Sequence, residues 1–252
     1  MSKRTKELSR AMVVERLREQ LARGPVLRAA ARTDPVAATA RRKLRAWQVD
    51  RLARTHADLL ASPHFGRAAA FFISDLYTVE DPAHRDDQVE DAAPLVIATL
   101  PTAGLETVAD AIELDAISET LDMAMVQVLG ARLGPDAPPL DDAAYGDAYR
   151  EVDQREQRER QIQLIEHLGH ALERLVRKPF IGAALKLMHR PARMAGYGDL
   201  QDLLERGYAG IRGIDDLDTF LELVVTRETR MSEALFAGDN SWLSWNPPRE
   251  GA

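Results

Sequence analysis

Apolar residues recur along this chain every three to four positions, and nowhere do they alternate with β-branched residues between turn signals. That period lines one face of an α-helix, whereas a half-buried strand needs a period of two. The expected fold is therefore all-α: about eight helices in a single helical-bundle domain with a basic N-terminal helical arm. Stops and caps divide the chain into an arm over residues 1–62 packed on the body, a helical core over 63–238 and a C-terminal tail over 239–252.

The first helix is expected over Glu7–Arg23, with Leu8, Met12, Leu17 and Leu21 near one face and Gly24-Pro25 as its stop. A second starts at Pro35 behind an Asp34 cap and runs to Ser62-Pro63, with Leu44, Trp47, Leu52 and Leu59 inward. A third runs from His64 to Tyr77, where Phe65, Ala69, Phe72 and Leu76 fall at i, i+4, i+7 and i+11. Phe71 and Tyr77 widen that stripe, Asp75 sits on its shoulder, and Pro82 ends the helix.

Further helices are expected over 84–100, with Pro94 as a kink, and over 105–132, 145–178, 180–189, 199–213 and 216–237. On the long helix of 105–132, Asp115, Ser118, Glu119 and Asp122 form an acidic stripe, read as a solvated face. Glu106, Asp110 and Glu113 form a second stripe, which runs into apolar positions and brings Glu113 to the edge of buried surface.

The chain of 252 residues has no cysteine, which excludes disulfides, thiolate metal sites and cysteine nucleophiles. No apolar run reaches the length of a membrane span, and the basic start is not followed by an apolar signal segment. A cytoplasmic protein with no membrane partner is expected. The net charge of −7 conceals an asymmetry: residues 1–54 hold 15 Lys/Arg and 5 Asp/Glu, and the remainder holds 18 and 35. Such an arm can bind nucleic acid or an anionic membrane surface, or dock on the acidic body or on that of a second subunit. No nucleic-acid motif accompanies the charge, which favours docking.

Chemistry-bearing residues cluster on the helix of 145–178. Glu159, His167 and His170 share a face opposite the leucine and isoleucine stripe; Glu166 and Glu173 stand at helical spacing from His170, and Glu113 can add an acid from the preceding helix. Carboxylates and histidines projecting inward from several helices build non-haem di-metal sites. The usual Glu-x-x-His pair is missing, and the face carries charges of both signs, which suits water. No cofactor is therefore predicted, and a non-haem metal is the alternative. Arg155, Arg158 and Arg177, with Lys178, are candidates for an anion cleft. His56, His64 and His84 lie near the phenylalanine-rich helix without a ligation motif, and no Gly-x-Ser-x-Gly occurs.

The stretches FFISDLY, TVEDPAHRDD, LETVADAIELDAISETLD, RERQIQLIEHLGHALERLVRKPFI and LQDLLERGYAGIR resemble a bacterial family known by its FFLEELY motif, with the likeness spread over roughly Ser62 to Gly238. Phe71, Phe72, Asp75, Leu76 and Tyr77 keep the pattern; Ile73 and Ser74 depart from it and remove its first acid. The resemblance implies a helical cytoplasmic protein and carries no catalytic residues. The leading expectation is a non-enzymatic binding or regulatory protein that self-associates or takes a protein partner. Its partner surface or apolar ligand cleft would involve Phe71, Phe72, Asp75, Tyr77, Arg85, Arg158 and Arg177. The alternatives are a metal-dependent enzyme using Glu113, Glu159, Glu166, His167 and His170, and nucleic-acid binding through the basic arm.

Overall fold

The structure is a computed structural model that describes residues 3–76 and 83–247; the side chains of residues 3–8, 24, 25, 27–32, 74–76 and 83–87 lie outside the description. Expectations for Leu8, Asp75, Leu76, Tyr77, His84 and Arg85 therefore fall outside it. Eleven α-helices and no strand occur among the described residues, so the fold is all-α.

The chain opens with α1 (Lys3–Thr33), α2 (Pro35–Thr55), α3 (Ala57–Ala61) and α4 (Gly66–Ala70), the last running into a π-helical turn at Phe71–Leu76. After α5 (Ala83–Thr99) comes the long α6 (Thr102–Leu129), closed by a 3-10 turn at Gly130–Leu133. Then follow α7 (Asp142–Val152), α8 (Arg155–Val176), α9 (Ile181–Met194), α10 (Gly198–Arg212) and α11 (Leu217–Phe236), with a final 3-10 turn at Ser241–Leu243.

Acidic side chains cap three helices, the expected Asp34 among them. Asp34 accepts from the Val36 amide, Asp141 from Ala144 and Asp216 from Thr219. Several boundaries differ from expectation. Helix α1 runs through Gly24-Pro25 to Thr33, because one missing amide donor weakens a long helix without having to end it. The second helix breaks at His56 and the third turns π-helical at Phe71. The helix of 145–178 is two helices, separated at Asp153, whose φ of 45° is left-handed. In the C-terminal segment, Leu243 is fully buried and belongs to the apolar cluster that α2, α6, α7 and α11 build.

Three apolar clusters form the interior. Leu44, Met125, Leu129, Tyr145 and Leu235 make the largest, with the Trp47 ring stacked 3.9 Å from that of Tyr145. Leu59, Ala68, Ala69, Leu217, Phe220 and Leu221 make the second, and Leu17 packs with Leu105 and Ala109 in the third. Met12, expected on the Leu17 face, is exposed.

Between the clusters runs a seam of buried charge. Arg41, Arg45, Gln48, Arg51 and Thr55 fall at i, i+4, i+7, i+10 and i+14 of α2, and all are buried. They meet the acidic stripe of α6. Arg41 grips Glu119 with two nitrogens, each at 2.7 Å; Arg45 reaches Glu119 at 2.8 Å and Asp122 at 2.9 Å; Gln48 donates to Asp122 at 3.1 Å. Glu119 is 0% exposed and Asp122 1%. This corrects the expectation of a solvated face for Ser118, Glu119 and Asp122: arginines at a matching helical spacing supply the countercharge that lets carboxylates leave water. Further along α2, Arg51 holds Glu228 of α11 at 2.6 and 2.8 Å, and His56 Nε2 lies 3.0 Å from the same carboxylate.

The second acidic stripe is used in the same way at the surface. Arg16 of α1 pairs with Asp110 at 2.7 Å, and Arg160 of α8 holds Glu113 at 2.7 Å. Arg10 donates to the Leu100 and Ile97 carbonyls at the end of α5. Arg10 and Arg16 thus tie α1 to the end of α5 and to α6.

Removing one partner of a buried pair leaves a stranded charge. Glu119→Ala should lower the unfolding free energy by about 3–5 kcal/mol, against under about 1 kcal/mol for Asp50→Ala, which breaks the exposed Arg54–Asp50 pair. Urea denaturation reads both.

Burial alone pushes the Glu228 carboxyl up. The Arg51 charge and the hydrogen bonds from His56 and Arg51 overcome it and hold the group at about 2, against 4.5 ordinarily. A depressed carboxylate contributes stability that is present above its unfolded value and lost as pH falls through the folded one. Between about pH 5 and about pH 2 the wild type should lose on the order of 3 kcal/mol more than Glu228→Gln, as seen in acid-dependent urea midpoints.

Candidate functional site

Phe71, the first residue of the expected motif, is buried. Its ring lies where a Cβ at position 207 would be, 2.8 Å from its Cζ, so only glycine lets the π-helical turn close on α10. Phe72 is partly buried and packs 5.8 Å from the Phe220 ring. These rings hold α4, α10 and α11 together. Gly207→Ala should therefore destabilise the fold by about 1–3 kcal/mol through overpacking, measurable as a lowered thermal midpoint.

The anion-cleft candidates separate. Arg158 is buried, with its guanidinium 4.6 Å over the Tyr149 ring and a hydrogen bond to Gln161. Arg155 lies 4.2 Å over the Phe236 ring. Arg177 is exposed, bonds Glu173, and lines a depression of about 510 Å³ with Val176, Ile211, Arg212, Ile214 and Asp215.

The metal candidates also separate. Glu113 is held by Arg16 and Arg160, and Glu159, Glu166 and His167 are exposed. His170, of the five, has two ligand-type neighbours: its imidazole, Glu173 and Asp218 bring one atom each within 4.8 Å of one another. Asp218 stands 3.6 Å from the imidazole with its side chain 85% exposed. An imidazole with two carboxylates is a donor set a non-haem cation can use. Here Glu173 is already bonded by Arg177.

A second histidine–carboxylate group joins α9 to α10. His189 Nδ1 lies 2.8 Å from Glu205, and Asp202 completes the group within the same 4.8 Å. Both carboxylates are engaged: Arg193 grips Asp202 with two bonds of 2.7 Å, and Gln201 donates to Glu205 at 2.8 Å. The hydrogen bonds from Gln201 and from His189 hold the Glu205 carboxyl below the usual carboxylate range.

This end of the molecule also carries several exposed apolar side chains. Helix α9 leans on α10 with one face: Gly182 lets Tyr208 approach where a Cβ would sit 2.4 Å from its hydroxyl, Gln201 donates to the Leu185 carbonyl, and Ala192 is buried. On its outer side Phe180, Ala184, Leu187, Pro191 and Met194 fall at i, i+4, i+7, i+11 and i+14, and all are exposed. Phe180 is 62% accessible, Leu187 77% and Met194 89%. Lys186, Arg190 and Arg193 form a parallel stripe beside this ridge, and Lys186, Leu187, His189, Arg190 and Glu205 border a shallow hollow.

The sequence predicts a short apolar helix over 180–189. The helix in fact continues to Met194 with Pro191 in its exposed face. The missed signal was charge: residues 174–198 hold six Lys/Arg and no acid, in a chain of net charge −7.

Among the described residues, no helix is long and apolar enough to cross a membrane. No curated protein and no solved structure matches the chain. A family model described as "Domain of unknown function (DUF8198)" matches residues 27–242, from within α1 to the last 3-10 turn, and the chain belongs to that family.

Proposed function

We propose that the protein is a non-enzymatic binding or regulatory protein whose docking element is α9. The observation that carries this reading is the exposed ridge of Phe180, Leu187 and Met194 beside uncompensated cations: Lys178, Lys186 and Arg190 have no ion-pair partner among the described residues. Coherent apolar stripes on an outer helix face mark interaction sites. The buried ionisable groups, by contrast, are turned on one another. Glu119, Asp122 and Glu228 each have arginine partners inside the bundle, and nothing in that pairing requires a substrate.

The reading through nucleic acid finds little support. Arg10, Arg16, Lys43, Arg41, Arg45 and Arg51 of the basic segment are engaged with the chain's own carbonyls and carboxylates. The metal-dependent alternative rests on His170, Glu173 and Asp218.

Two measurements test the proposal. Untagged protein subjected to elemental analysis should carry well under one iron, manganese or zinc per chain; a stoichiometric metal lost in His170→Ala would replace this reading with the enzymatic one. The double variant Leu187→Asp, Met194→Asp should keep its urea stability within about 0.5 kcal/mol, as solvent-facing positions do. A loss of about 2 kcal/mol or more would mean that the chain itself covers the ridge, and α9 would not be a docking face.

A further inference from the structure

The shape and charge of α9 say what kind of surface it fits. The ridge is convex and runs the length of an outer helix about 21 Å long. Its large apolar members are Phe180 at the head, Leu187 and Met194, with Met188 half exposed at its edge. The cations lie along one flank at Lys186 and Arg190 and at the α8–α9 turn, where Arg177-Lys178-Pro179 precedes the exposed Phe180. Arg193 belongs to the same flank, but Asp202 neutralises it.

We propose that α9 is a membrane-surface helix, which lays Phe180, Leu187 and Met194 into the outer acyl region of an anionic phospholipid bilayer while Lys178, Lys186 and Arg190 meet lipid phosphates. This rests on the reading of α9 as the docking element and names its occupant. A large apolar face bordered by cations, with modest overall hydrophobicity, is the pattern of helices that lie in the bilayer interface. Charge adds direction. Outside residues 174–198 the chain holds 27 Lys/Arg against 40 Asp/Glu, so its net-acidic remainder is repelled by an anionic surface and this segment is attracted. A fluid phosphate plane also satisfies scattered cations without a matched pattern of acids, whereas a protein partner would need a groove with carboxylates at set positions. The expectation of no membrane partner came from the lack of a spanning segment, and a helix lying in the interface needs none.

The test is co-sedimentation of the full chain with vesicles of phosphatidylcholine alone and of phosphatidylcholine with about one-third phosphatidylglycerol. The protein should sediment with the mixed vesicles and stay in solution with the neutral ones, and the bound fraction should fall as salt rises from about 0.05 to about 0.5 M. Leu187→Asp with Met194→Asp, and separately Lys186→Glu with Arg190→Glu, should each weaken partition at least about tenfold. Arg42→Glu, on the exposed side of α2, should leave it unchanged. Circular dichroism checks that each variant is folded. Absence of sedimentation, equal sedimentation with both vesicles, or indifference to both double variants overturns the inference. If instead the protein self-associates in sedimentation velocity without lipid, and Leu187→Asp with Met194→Asp makes it monomeric, the ridge docks on a second copy: the lipid occupant is then wrong while α9 remains the docking element.

Discussion

Everything in this bundle is arranged around the fact that α2 is built inside out. A helix in a small all-α protein ordinarily turns its arginines to water and its leucines to the core. Here Arg41, Arg45 and Arg51 point inward along the whole helix, and the core divides to make room for them. Each guanidinium would be very costly to bury alone. The two-pronged Arg41–Glu119 contact, the sharing of Glu119 with Arg45, and the closure of Arg51 on Glu228 make burial tolerable. Such pairs add little net stability over an apolar replacement, but they penalise every wrong alignment. Sliding α2 by one residue against α6 would separate the Arg41 and Arg45 pairs at once.

The apolar clusters answer to this seam. Leu44 and Trp47 on the adjoining face of α2 reach Met125 and Tyr145, so the charged and apolar contacts of α2 and α6 fix the same register. Tyr149 extends the seam, with its hydroxyl 2.8 Å from Ser232 and its ring beneath Arg158; burial pushes that phenol up, and it stays neutral. Helices α9 and α10 lie away from this centre. Surface ion pairs and glycine-enabled contacts hold α9, and its outer face is left for something else.

Much of the fold was legible because it follows from backbone chemistry. Asp34 and Asp141 cap where short acceptors precede apolar periodicity, and α8 stops ahead of Pro179, whose ring cannot continue it. The seam was visible only in halves. The stripes at 41, 45, 48 and 51 and at 115, 118, 119 and 122 share a helical period, but a charged stripe ordinarily faces water, and only the pairing of two helices distant in sequence shows otherwise. The break at Asp153 carries no glycine or proline, so no local signal marked it. For the candidate site, the phenylalanines drew attention because aromatic doublets suggest ligand walls; tertiary packing made them core. The α9 ridge escaped because alanine, leucine and methionine at helical spacing read as interior, and nothing local says that a helix lies at the edge of its bundle.

The seam also ties assembly to the order in which the chain is made. Arg41 and Arg45 are separated from their carboxylates by 78 and 77 residues, and Arg51 from Glu228 by 177. During synthesis α2 therefore emerges long before its countercharges, and the last pair cannot close until α11 has left the ribosome. Until α6 has followed, the arginines of α2 have no countercharge to draw them out of water. The interior of this protein is completed from its far end, by distant contacts that make folding slower than local helix pairing would.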